Sequence, residues 1–444
     1  MHETGTHYCE RLRRNMNTVK EIAAYAKMRS FEAAALPESV RDAALARAAE
    51  ALEANKAEIF TANETDLAEA EKAGIAEPVL KRLKFDENKL ADVISGIRDL
   101  IALSDPAGRL LAKRQLDEGL ILEQVTCPIG VIGVIFESRP DALVQIASLC
   151  VKSGNCALLK GGSEAAHTNR VLFDSIYEAG LSAGMPDGFI SLITTRAEIS
   201  EMLKCAESID LIIPRGSNEF VRYIMSHSDI PVMGHSDGIC HIYVDRDADI
   251  AKAAPIILDS KVQYVAACNA VETVLVHEDV AETFLPELER ALREAGVIVK
   301  GTQRVVSIVA GVEPATDEDF RTEYLDYIVS VKTVATIDEA ITHINRFGSH
   351  HTDCIVTEND IAAEQFMSRV DSAGVYRNCS TRFADGYRYG LGAEVGIATG
   401  KLHARGPVGL DGLQTYKYRL YGSGQIVSDY AEGRKSFHFK ELDK

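Results

Sequence analysis

The chain has 444 residues, 46% hydrophobic and 26% charged, the balance of a folded protein with room for two or three compact domains. Its 66 acidic against 48 basic side chains leave a formal charge of -18, which disfavours non-specific binding to nucleic acid or an anionic membrane, so an anionic ligand needs a local site. The longest apolar run, Val125 to Phe136, is too short for a bilayer and is broken by Pro128, Gly130 and Gly133, so it predicts no membrane span.

Residues 1–15 lack the apolar stretch of a secretory signal, which points to the cytoplasm, and Met16 opens a better helical pattern, which makes 1–15 a candidate start-site extension. From Asn17 to about Leu103, apolar residues recur three and four apart and predict helices with no catalytic motif. Two β-like runs follow, Leu120 to Cys127 and Gly130 to Ser138. Strand and helix then alternate: CALLKGG, EAAHTNRVLFDSIYEAG, FISLITT, AEISEMLKCAE, IDLIIPRGS and NEFVRYIMSHS. Such alternation predicts a parallel, doubly wound sheet. A second alternating section starts near His241 and predicts a second α/β domain. The expected division is 1–118 with 135–240, then 241–414, with 119–134 and 415–444 as a β arm and tail. In that arm LILEQV and TYKYRLY read as exposed strands that pair with each other and join subunits.

Chemistry is expected where strands end. Three strand-to-turn junctions fall on strands of one sheet: Glu137-Ser138-Arg139-Pro140, Lys160-Gly161-Gly162-Ser163 and Arg215-Gly216-Ser217. Bare backbone and a helix N-terminus suit phosphate, and together the three turns point to a dinucleotide. Each alone is ordinary turn chemistry, and GxGxxG is absent. Nine cysteines without a CxxC pair suit reduced thiols. Twelve histidines show no metal-site spacing, and no metal is expected. Cys150, Cys156 and Cys240 lie in apolar runs and read as packing residues. Cys268, in QYVAACNAVETVLV, reads by default as another small buried thiol; its place at the end of a helix, at the opening of the second domain, makes it a candidate cleft nucleophile for aldehyde or acyl chemistry.

The stretches GVIGVIFESRPDALVQIASLCVKSGNCALLKGGSEAAHTN, IDLIIPRGS, PVMGHSDGICHIYVD, QYVAACNAVETVLVH, HINRFGSHHTDCIVTE and NCSTRFADGYRYGLGAEVGIATGKLHARGPVGL resemble the glutamate-5-semialdehyde dehydrogenase (γ-glutamyl phosphate reductase) family of the aldehyde dehydrogenase superfamily. The resemblance spans Met16 to about Ile426. It implies an aldehyde dehydrogenase-like fold of two doubly wound α/β domains with a small β oligomerisation arm, and NADPH-dependent reduction of L-glutamyl 5-phosphate in proline biosynthesis. It places Cys268 as nucleophile, with Ser138, Lys160, Gly161, Gly162, Gly216, Ser217 and Glu323 toward the cofactor. Asn378, Ser380, Thr381 and Arg382, with Arg139 and His235 behind them, are the implied substrate contacts. For Arg382 a structural ion pair is an equal alternative, and Cys379 lies beside this loop. Hydrolytic relatives carry a Glu-Leu-Gly-Gly base where this chain has residues 234–238, Gly-His-Ser-Asp-Gly. A thioester resolved by hydride needs no such base. A hydrolytic or CoA-acylating aldehyde dehydrogenase and a non-catalytic scaffold are the rival readings. Implied partners are other copies of the chain and, transiently, a glutamate 5-kinase.

Overall fold

The computed structural model describes residues 16, 18–193, 197–235 and 237–443. It divides into two compact units, one formed by Met1–Met233 with Gly409–Lys444, the other by Gly234–Val408. The proposed start-site extension, 1–15, lies outside the described residues.

The first unit opens with helices Val19–Ala33, Glu38–Ala54, Lys56–Lys72 and Glu87–Ala102. Thr18 and Glu21 form a capping box on the first, and Asp86 accepts from the Lys89 N–H to start the last. Strands β1 (Leu110–Asp117) and β2 (Leu120–Pro128) form a hairpin turning at Gly119, whose φ is 70°. Then come β3 (Val131–Phe136), β4 (Cys156–Lys160), β5 (Ile190–Ile193) and β6 (Leu211–Arg215), all parallel, in the order β5-β4-β3-β6. Because β4 and β6 lie on opposite sides of β3, the winding reverses at β3. Ligands of such sheets bind beyond the carboxyl end at that point.

The second unit is built on β7 (Cys240–Val244), β8 (Val271–His277), β9 (Ile298–Gly301), β10 (Glu313–Pro314), β11 (Ile328–Val334), β12 (Thr352–Val356) and β13 (Gly374–Arg377). They form one parallel sheet in the order β10-β9-β11-β8-β7-β12-β13. β7, β8 and β12 are buried along their whole length, as strands covered by helices on both faces must be. A short pair, β14 (Gly396–Ala398) and β15 (Gly406–Val408), completes the unit.

The expected pairing of the two arm strands is present: β16 (Gln414–Tyr421) runs antiparallel to β2 over its whole length. The arm is larger than expected, since β1 and β17 (Lys440–Leu442) extend it to β16-β2-β1-β17. The run RLLAKRQLD hides β1 because Lys113, Arg114 and Gln115 break its apolar alternation. No helix among the described residues is long and apolar enough to cross a membrane.

Candidate active site

In the first unit, the carboxyl ends of β3 and β4 open into a cavity of about 500 Å³ lined by Glu137, Lys160, Gly161, Gly162, Glu164, Phe220 and Tyr223 among others. Glycines nearby bring backbone close to two glutamate carboxylates. A Cβ on Gly162 would sit 2.1 Å from Glu164 Oε1, and one on Gly216 would sit 2.6 Å from Glu137 Oε2. Two of the three expected turns, at Glu137 and at Lys160, line the cavity. Lys160 is buried and its ammonium donates to the Gly161 carbonyl.

The turns differ in what they leave available. The helix after Gly162, Ala166–Ala183, has its first amides taken: Asp66 accepts from the His167 N–H (3.1 Å) and Thr168 N–H (2.8 Å). The helix after Gly216, Asn218–His227, is capped by the Ser217 hydroxyl, while the Ser217 N–H makes a long 3.4 Å bond to Glu137. Ser138 is buried at φ 49°, and its N–H and hydroxyl donate to Glu164 at 2.7 and 2.6 Å. Such backbone strain concentrates at binding sites. Arg139 follows, exposed, at the start of helix Pro140–Lys152.

In the second unit, Cys268 is half-buried in the connection between helix Ile250–Val262 and β8. The expectation that it ends the helix is corrected: helical structure stops at Val262, and Cys268 sits in a turn. That turn is held from three sides. Thr381 donates to the Asn269 carbonyl (2.7 Å), the Asn269 amide donates to the Ala384 carbonyl (2.8 Å), and the buried Cys240 thiol donates to the Cys268 carbonyl (3.4 Å). Gly238 lies against the other face: a Cβ there would be 2.0 Å from Cys268 O and 2.4 Å from its Cα. Only glycine lets this segment, just before β7, approach the cysteine so closely.

His235 Nδ1 donates to the Ile397 carbonyl (2.9 Å), because a carbonyl can only accept. A ring nitrogen of His235, one of His351 and Cys268 Sγ all lie within 4.8 Å of one another. The rings meet edge to face, with centroids 5.1 Å apart. Sequence reading weighed His235 for substrate and missed both Gly238 and His351, since nothing in their spacing marks them as neighbours of Cys268.

The implied substrate loop splits by role. Asn378, at φ 53°, is spent on structure: its amide oxygen accepts from the Thr357 N–H (2.9 Å) and its NH2 donates to the Thr357 carbonyl (3.0 Å). Ser380 and Thr381 are buried and bind Ser260, which locks this turn to the helix before Cys268. Arg382 donates to the neutral Gln263 amide (2.8 Å), so that contact is no ion pair; its charge lies near enough to act on Cys268 and His351. Cys379 is half-buried, and a hydrogen bond from Cys354 lowers its thiol to about 7. Burial pushes Cys156 up to about 12, and raises Cys150 and Cys240 as well, which matches their packing role.

Glu323 lies in the loop leading to β11, half-buried. Beneath it Lys261 and Glu272, both fully buried, pair at 2.7 Å. Burial lowers Lys261 and raises Glu272 to about 8, with Glu323 adding to the rise. Lys261→Met strands a buried carboxyl, and the second unit is expected to lose about 3–5 kcal/mol, with Lys261→Met/Glu272→Leu recovering most of it. Chemical unfolding of the three proteins checks this.

Residues 2–305 match the model of the aldehyde dehydrogenase family. The chain belongs to that family. A gamma-glutamyl phosphate reductase of Ruminiclostridium cellulolyticum is 56% identical over 426 residues, 96% of this chain and 98% of that one. The crystal structure of gamma-glutamyl phosphate reductase from Thermotoga maritima superposes with a TM-score of 0.90 at 38% identity, covering 92% of this chain and all of that one. An engineered glycolyl-CoA reductase with bound NADP+ shares the fold alone, at 14% identity and a TM-score of 0.60, covering 91% and 96%. Within the aldehyde dehydrogenase family the chain falls among the gamma-glutamyl phosphate reductases, which are oxidoreductases.

Proposed function

We propose that the chain reduces L-glutamyl 5-phosphate to L-glutamate 5-semialdehyde and phosphate with NADPH, the second step of proline biosynthesis from glutamate, through a thioester on Cys268. The observation that carries this reading is the partly accessible Cys268 thiol, in a turn held by Thr381, Cys240 and the close approach of Gly238, in a chain 56% identical to a named reductase of that acyl phosphate.

The Cys268 thiolate attacks the acyl carbonyl, the carbon–oxygen bond to phosphate breaks, and phosphate leaves with the electron pair. NADPH, when bound, supplies hydride to the thioester carbonyl; the hemithioacetal then expels the thiolate and frees the aldehyde. Arg382 supplies positive charge near the thiol, which suits an anionic substrate group. Residues 234–238 lack the glutamate that serves hydrolytic relatives as base, which favours a thioester resolved by hydride.

The cofactor's adenosine end fits the first cavity: Phe220 and Tyr223 offer flat faces to adenine, Glu137 and Glu164 offer acceptors to ribose hydroxyls, and Lys160 offers charge to a 2′-phosphate. Glu323 is assigned to the nicotinamide ribose, as the family resemblance implies. Lys160→Ala is expected to raise KM for NADPH about tenfold with little change in kcat and a smaller change for NADH, read from initial rates with both cofactors. β16, with Tyr416, Tyr418, Leu420 and Tyr421 exposed on an open edge, is assigned to a subunit interface. Because an acyl phosphate is labile in water, direct transfer from a glutamate 5-kinase fits the chemistry.

The reverse reaction tests the reading. With NADP+ and glutamate semialdehyde, sustained NADPH formation is expected to require phosphate; turnover indifferent to phosphate would belong to a hydrolytic enzyme instead.

A further inference from the structure

We propose that His235, His351 and Cys268 form a binding site for a thiophilic divalent cation, Zn2+ above all, which captures the reactive sulfur. The three ligand atoms lie within 4.8 Å of one another. Around a tetrahedral zinc, with bonds of about 2.0–2.3 Å, neighbouring ligand atoms are about 3.4–3.6 Å apart, so closing the site takes movements of about an ångström. Cys268 and His235 are each half-buried, on connecting segments rather than inside strands, where such movement is cheapest.

Both imidazoles are prepared as ligands. The Ile397 carbonyl fixes the proton of His235 on Nδ1, which leaves the lone pair on Nε2. His351 is fully buried, with Nδ1 2.9 Å from the Thr352 hydroxyl and Nε2 lacking a hydrogen-bond partner among the described residues. With Nδ1 donating to that hydroxyl, Nε2 also presents a lone pair. An unpartnered buried polar atom is unfavourable, and a metal bond would satisfy it.

Two nitrogens and one thiolate leave the fourth position for water, the ligand count of an open zinc site. Binding releases the thiol proton to solvent as sulfur bonds to the metal. A metal-held sulfur cannot attack an acyl phosphate, so the cation inhibits. That consequence rests on Cys268 being the acyl carrier; the binding does not.

Titration of the full chain with Co2+ reads the site directly through thiolate-to-cobalt charge-transfer absorption in the near ultraviolet. One Co2+ per chain, displaced by Zn2+, is expected to give the band. Cys268→Ala is expected to abolish it, His351→Gln and His235→Ala to weaken Co2+ binding at least about tenfold, and Cys205→Ser, in the other unit, to leave it unchanged. Thermal unfolding of each variant confirms that it folds. No band, or a band surviving Cys268→Ala, overturns the proposal. A normal band in a protein whose turnover is insensitive to Zn2+ upholds the site and overturns Cys268 as acyl carrier.

Discussion

Replacing Cys268 by alanine is expected to lower kcat by at least roughly a thousandfold, because covalent catalysis through a nucleophile has no partial substitute at the same position. The fold is expected to survive, since the side chain is half-buried and small, and the carbonyls of Cys268 and Asn269 help hold its turn. Alkylation at neutral pH sharpens the assignment. Cys150 and Cys240 are buried with raised pKa values and are expected to label slowly. Cys379, lowered to about 7 and half-buried, is the competitor, so the label must be located by peptide mass. Substrate is expected to protect Cys268. A Cys268→Ala protein that retains turnover would move the chemistry elsewhere, and Cys379→Ser would then be the variant to measure.

Gly238→Ala is expected to cost roughly a hundredfold in kcat while adding a single methyl group. That methyl cannot fit 2.0 Å from the Cys268 carbonyl oxygen, so one backbone must retreat. A reacting atom misplaced by about an ångström loses on the order of 100-fold in rate. The same retreat breaks the bond from the Cys240 thiol to that carbonyl. KM for NADPH is expected to stay near its ordinary value, since the residues assigned to the adenosine end lie in the other unit. Steady-state kinetics with normal unfolding behaviour checks this; an unchanged kcat would mean that the position of Cys268 is not critical.

Much of this was legible in the sequence, for identifiable reasons. The two α/β sections announce themselves because buried parallel strands are short apolar runs and their crossover helices have a different period. The turns at Lys160 and Gly216 are visible because glycine directly after such a run has few other uses. β1 escaped notice because an exposed hairpin strand carries charges that blur its alternation. The surroundings of Cys268 escaped for a different reason. Gly238 and His351 reach it through β7 and β12 of a sheet whose order departs from chain order, and such a neighbourhood leaves no local signal. Asn378 shows the converse: family resemblance directs attention to it, yet its amide is consumed in holding Thr357.

The thioester is the centre of the account, and the acylated enzyme can be sought directly. Mixing the protein with glutamate semialdehyde and NADP+ in the absence of phosphate, quenching in acid early in the reaction and mapping peptides is predicted to find one glutamyl group on the peptide containing Cys268, removed when phosphate is added before the quench. NADPH formed without any acyl group on Cys268, or the group found on another cysteine, would contradict it.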